Sequence, residues 1–223
     1  MSRQMGFSLL EVLLALSLGL LLLLGASRLF VAASQSWQAQ AASAHMQEDA
    51  RQALQRLAQS IRMSAMFGCL RDDAMVFHDP SAREAFAQSL RLTRGADGRL
   101  QRLSLITADV AHTTGEPDWT LVTDCQTQAS VHAGVMAPGP GQFAVPLRRQ
   151  HYRLVANELY LRSAAANGVL VEGVGDLQIE LVRDSNLAIT AARLELTMVD
   201  PQQRVRPQTY RMSIALGNPV LGS

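Results

Sequence analysis

Hydrophobic positions are unevenly spread along the chain. From Phe7 to Ala33 nearly every residue is apolar; only Glu11 and Arg28 carry charge, and Ser8, Ser17 and Ser27 are mildly polar. No proline interrupts the stretch, and its dominant residue, leucine, is a strong helix former. At about 1.5 Å rise per residue, such a helix is long enough to cross a hydrocarbon core of about 30 Å. Gly19 and Gly25 weaken it locally and leave room for a neighbouring helix to approach. Past Ala33 the helical period continues with a different face pattern. Met46, Ala50, Leu54, Leu57 and Ile61 share one face, while Glu48, Asp49, Arg51, Gln52, Arg56 and Gln59 occupy others. Gly68 suits a C-terminal cap. The pattern predicts one helix from about Phe7 to Phe67, apolar all round at first and sticky on one side afterwards.

Beyond Cys69 the period changes. The segment from Cys69 to Gln88 reads as an irregular connection with a helical turn at Ser81–Gln88, capped by Ser81 with Glu84 in a capping-box arrangement. Strand signals then dominate: RLSLITADV, WTLVTDC, DLQIELV and RLELTMV alternate or run apolar, and Tyr210, Met212, Ile214 and Leu216 close the series. YRLVANELYLR holds two short runs about Asn157, which predicts a hairpin. Turn-rich segments such as HTTGEPD, HAGVMAPGPGQ and DPQQ separate them. Short strands with short connections favour an antiparallel meander, one face covered by the helix stripe. No repeat and no separate second domain are evident.

Composition narrows the classes. At 223 residues the chain holds one membrane segment and one soluble domain of ordinary size. A net charge of +1 makes no electrostatic case for nucleic acid as the main ligand. The two cysteines, Cys69 and Cys125, suggest one disulfide if the domain lies outside the cytoplasm, and two unrelated buried thiols otherwise.

The flanks of the first segment set its orientation. Arg3 lies just before the span and should keep the N-terminus cytoplasmic, so that the rest is translocated; Arg28, at the far end, snorkels to the headgroups. A cleaved signal peptide competes with this reading, because Gly25-Ala26-Ser27 and Ala32-Ala33-Ser34 offer small residues after the core, but that core is longer than the usual 7–15 or so residues. Glu11 is harder to place. A carboxylate inside an apolar helix costs up to about 3 kcal/mol. Arg28 is about 25 Å away along the helix and cannot be its partner. The partner is another molecule or a newly made chain terminus.

Gly6-Phe7-Ser8-Leu9-Leu10-Glu11, followed by a long apolar helix, resembles the prepilin signature of type IV pilins and type II secretion pseudopilins. The resemblance implies a leader of residues 1–6, cleavage between Gly6 and Phe7 by a membrane peptidase, N-methylation of Phe7 by the same enzyme, and Glu11 as the fifth residue of the mature chain. Its carboxylate then neutralises the terminal ammonium of a neighbouring subunit in a low dielectric. ALQRLAQSIRMSAMFGC, LVTDC and YRLVANELYLR with VEGVGDLQIEL resemble PilW-type minor pilins in turn. The ending SIALGN departs from their usual Leu-Arg-Asn at Gly217. The implied plan is an α+β pilin fold: residues 7–33 as the transmembrane and filament-core half of the helix, 34–68 as its amphipathic periplasmic half, and 69–223 as a β-rich domain with one disulfide between Cys69 and Cys125. The implied partners are the prepilin peptidase, other minor pilins, the major pilin, a large tip adhesin and the inner membrane, before passage to the cell surface.

No HExxH, CxxC, P-loop, GxSxG or strand-to-helix GxGxxG is present, and no catalytic, metal or cofactor constellation is expected. His78 near Asp72, Asp73 and Asp79 reads as a solvated loop, Gly139-Pro140-Gly141 as turn material, and Arg148-Arg149 as solvated surface. The expected function is structural, as a PilW-type minor pilin that helps prime and assemble a type IV pilus. The rival readings are a J-type pseudopilin of type II secretion, a membrane-anchored periplasmic binding module, and a secreted enzyme.

Overall fold

The computed structural model describes residues 8–64, 69–70, 74–109, 115–164 and 166–221, with 218–221 described by backbone alone. The chain divides into two units, Met1–His45 and Met46–Ser223. Helix α1, Leu9–Met63, contributes to both. Its end is marked by Ser64, whose hydroxyl donates to the Ile61 carbonyl at 2.6 Å. The expected continuation to Phe67 and the Gly68 cap lie outside the described residues.

In the second unit, β1 (Met75–Phe77), α2 (Pro80–Ala87), β2 (Leu90–Arg94), β3 (Leu100–Ala108), β4 (Trp119–Thr123) and β5 (Ala129–Ala133) come first. They are followed by β6 (Phe143–Val155), β7 (Glu158–Arg162), β8 (Asn167–Val171), β9 (Val174–Arg183), β10 (Ala188–Met198) and β11 (Gln208–Leu221). The expected single meander is instead two sheets. One holds eight strands in the order β1-β5-β4-β6-β3-β2, with β7 and β8 branching from β6; the other is the three-stranded β11-β10-β9. Strand β6 is long enough to pair β4 with its first residues and β7 with its last, on one edge, while β3 runs along the other. All pairings are antiparallel except β1 with β5, which is parallel.

Local chemistry explains the connections. Ala156 and Asn157, at φ +49° and +67°, join β6 to β7 in the two-residue turn whose twist suits a hairpin. Gly173, at φ +71°, precedes β9 where an added Cβ would stand 2.9 Å from the Val199 carbonyl oxygen. Asp79, rather than Ser81, caps α2. Its carboxylate accepts from the Ser81 N–H at 2.9 Å, and Pro80 occupies the first turn, where a missing N–H costs nothing.

The stripe on α1 packs as its spacing predicts. Met46, Ala50, Leu54, Leu57 and Ile61 are buried against Leu103, Leu105, Tyr152, Leu159, Leu177, Ile179, Leu194, Leu196 and Ile214 from both sheets. Polar stitching accompanies it: the Ser60 hydroxyl donates to Gln150 Oε1 at 2.9 Å and lies 2.8 Å from the Tyr152 hydroxyl. A second core forms on the opposite face of the large sheet, where α2 covers Ile106, Trp119, Leu121 and Leu147 with Ala82 and Phe86.

Arg148 corrects the surface reading of the arginine pair. It is buried, with Nε 2.7 Å from Asp109 Oδ2 and Nη2 2.7 Å from the Gly115 carbonyl. Arg149 faces the other side and lies over the Trp119 ring at 4.8 Å. The architecture is α+β and pilin-like: a long helix, apolar in its first half, whose second half packs on antiparallel strands, with one disulfide.

Candidate functional site

Residues Gly6 and Phe7 lie outside the described residues. The description starts at Ser8, which caps α1: its hydroxyl accepts from the Leu10 N–H at 3.3 Å, and its carbonyl accepts from Glu11 and Val12. Glu11 therefore stands in the first helical turn, where the positive end of the helix dipole favours a carboxylate. Ser8 and Glu11 have the S-x-x-E spacing of a capping box, a signal visible in the sequence.

Above Glu11 the helix exposes leucines on every side. Leu13, Leu14, Leu18, Leu21, Leu22 and Leu29 are all more than half exposed, Leu22 by 75%. The polar groups are few, and Ser17 donates to the Leu14 carbonyl at 2.9 Å, so its hydroxyl makes no demand on the surroundings. Nothing lies within 4 Å of a Cβ built on Gly19 or Gly25. The stretch Leu9–Ala33 would rise about 37 Å as a helix, against a hydrocarbon core of about 30 Å. It is long and apolar enough to cross a membrane, or to act as a signal segment. An unbroken apolar surface of this extent needs lipid or protein against it.

In the second unit, Cys69 and Cys125 are joined, with Cα atoms 5.1 Å apart and a separation of 56 positions in sequence. The Cys125 side is held by a cradle the sequence reading missed. The Asp124 carboxylate accepts N–H bonds from Gln126, Thr127 and Gln128, each at 2.9 Å, and the Thr127 hydroxyl at 2.7 Å. These donors, the Gln128 N–H first, hold its pKa well below the usual carboxylate range. An aspartate heading a short polar run between strands is the corresponding sequence signal.

In the His78 loop, Asp72 and Asp73 lie outside the described residues, Asp79 is engaged by Ser81 and by Trp119 Nε1 at 2.9 Å, and His78 stacks on His132. Among the described residues no three potential ligands converge. The segment SIALGN lies within β11, with Gly217 exposed on that strand. Comparison with protein-family models, curated proteins and solved structures finds no match for this chain.

Proposed function

We propose that the chain is a PilW-like minor pilin of a type IV pilus. The precursor inserts through its apolar half-helix with Arg3 and the N-terminus in the cytoplasm and the domain in the periplasm. The prepilin peptidase cuts between Gly6 and Phe7 and methylates Phe7. The processed chain then passes from lipid into a filament, exchanging acyl chains for the helices of neighbouring subunits. With other minor pilins and a large tip adhesin it primes a structure that the major pilin extends, in support of twitching, attachment or DNA uptake.

One observation carries this reading: a helix that exposes leucine all round carries a carboxylate in its first turn. Lipid accounts for the leucines and leaves Glu11 with a desolvation cost. A filament core of neighbouring helices accounts for the leucines, and a neighbour's terminal ammonium within it accounts for Glu11, because two opposite charges attract strongly where water is excluded. The paired cysteines favour a PilW-type protein over a J-type pseudopilin.

Glu11→Ala tests it. Membrane insertion should persist, since the change removes a polar group from an apolar span. Incorporation into sheared filaments should fall by at least about tenfold, the effect of removing one partner of a buried charge pair. Undiminished incorporation would overturn the charge-neutralisation role.

A further inference from the structure

The uncovered part of the outer face of the large sheet is rich in arginine. Strand register aligns Arg91, Ser104, His151 and Arg162 in one row across β2, β3, β6 and β7. The adjacent row on that face carries Thr93 opposite Arg102, and Arg153 opposite Tyr160. Arg149, two residues before His151, stands at the border with α2. Each row spans roughly 14 Å at the usual strand spacing. Between α2 and these rows runs an open groove of about 370 Å³, floored by Ser104 and Ile106 and flanked by Arg91, Arg102, Arg149 and His151.

This concentration works against folding. Arg102 and Arg153 fall side by side on neighbouring strands, one step beyond the Leu103–Tyr152 pair, and like charges so placed repel. Among the described residues none of Arg91, Arg102, Arg149, Arg153 and Arg162 forms an ion pair. Carboxylates border the face without pairing with these arginines: Asp79 lies by Arg149 and Glu172 by Tyr160. Glu84 lines the α2 side of the groove, Asp118 accepts the Arg149 N–H, and Glu158 accepts the Tyr160 hydroxyl at the far corner. Burial first, then Arg102 and Arg149, hold the His151 imidazole below its ordinary pKa, while Asp118 opposes them. The guanidinium groups are thus close enough to be felt at the centre of the face. The net charge of +1, which speaks against nucleic acid for the chain as a whole, averages over this face.

We propose that this face binds the phosphodiester backbone of duplex nucleic acid, with Arg91, Arg102, Arg149, Arg153 and Arg162 as phosphate contacts and no reading of bases. Arginine, which supplies all the permanent side-chain cations in a sequence without lysine, presents a planar fork that matches phosphate oxygens. The rows carry no exposed ring on which single-stranded bases could stack, since Tyr160 is half-buried. The apolar side chains exposed along this face are Val155 and Val169, the latter opposite Tyr160 on β8, and two isolated valines offer little surface to enter lipid. A duplex offers one phosphate per about 3.4 Å of axis on each strand, so the two backbones flanking one groove together supply enough phosphates for all of these arginines. The proposal stands on the sheet face alone and is independent of the pilin reading.

The test is fluorescence anisotropy of a labelled duplex of about 20 base pairs with the full chain in uncharged detergent, across a salt series. With up to five phosphate contacts, log K should fall against log salt with a slope of about −4. Arg102→Gln/Arg153→Gln should bind at least about tenfold more weakly, make the slope shallower by about 2 and leave the unfolding midpoint unchanged or raised. Arg193→Gln removes an exposed guanidinium that pairs with Glu180 at 3.3 Å on the other sheet, and should bind as the parent does. Equal loss in both variants, tighter binding of a single strand of the same length, or displacement by polyglutamate at equal charge concentration would each overturn the assignment, the last in favour of an acidic protein.

Discussion

Leu57→Ala measures how far the second half of α1 forms the core rather than merely lying on it. Leu57 is fully buried in the middle of the stripe, between Leu54 and Ile61, which are buried to within a few per cent. The substitution removes three carbons, worth about 2.4 kcal/mol in transfer free energy at about 0.8 kcal/mol each. Helix and strands close on the site from both sides, so the surroundings relax only partly and a cavity term adds to the loss. The expected total is about 3–4 kcal/mol, against a whole-domain stability of roughly 5–15 kcal/mol. Urea unfolding of the full chain in mild detergent reads this out through Trp119, which is buried in the second core on the far face of the sheet, while Trp37 is 72% exposed and contributes little change. Leu22→Ala is the matched control: the same chemistry at a position 75% exposed, with no expected effect on that transition. A loss below about 1 kcal/mol for Leu57→Ala, or an equal loss for Leu22→Ala, would refute the packing account.

Two further outcomes follow from the second unit. Cys69→Ser/Cys125→Ser frees a loop of 56 residues, and the chain-entropy relation gives a loss of about 4 kcal/mol, seen as a lower unfolding midpoint; labelling of both thiols in the parent without reductant would contradict the pairing. Asp124, held low first by the Gln128 N–H, and Asp200, held low first by the Arg204 guanidinium, contribute stability that is fully present above the unfolded carboxylate value of about 4 and lost as pH falls from there towards the folded values. The thermal midpoint should therefore hold from about pH 7 to 5 and drop below about pH 4, with Asp200→Asn flattening the drop; an undiminished drop in that variant places the acid loss elsewhere.

What was legible in the sequence was whatever a single element determines. The 3.6-residue period marked Met46, Ala50, Leu54, Leu57 and Ile61 as one face, and all are buried. Alternation marked Leu177 and Ile179, and Leu194 and Leu196, and the hairpin turned at Asn157 because Ala156 and Asn157 take the positive φ such turns need. What depends on register was not legible. Strand β1 has three residues and its parallel partner β5 comes more than fifty residues later, so neither announces itself locally. Adjacent strand residues face opposite sides, which sends Arg148 into an ion pair with Asp109 and Arg149 to the outer face, though the sequence shows only two arginines. The basic rows draw on four strands and exist only once those strands are paired. Asp-Pro-Ser marks Asp79 as the cap of α2, but the capping-box spacing from Ser81 to Glu84 competes with it in the sequence. Glu11 was conspicuous in the sequence as a charge among leucines, and its place in the first turn adds a favourable dipole to the roles it can play.

The central claim is that Phe7 becomes a methylated terminus facing Glu11 of a neighbour. The sequence contains no lysine, so its only amine is the terminal one. Intact-mass and N-terminal analysis of the protein from membranes and filaments, paired with a reagent specific for primary amines, decides the point. The account predicts a chain that starts at Phe7, is heavier by one methylene, and does not react with the reagent. A chain that retains residues 1–6, or one that starts beyond Ala26 or Ala33, would contradict it.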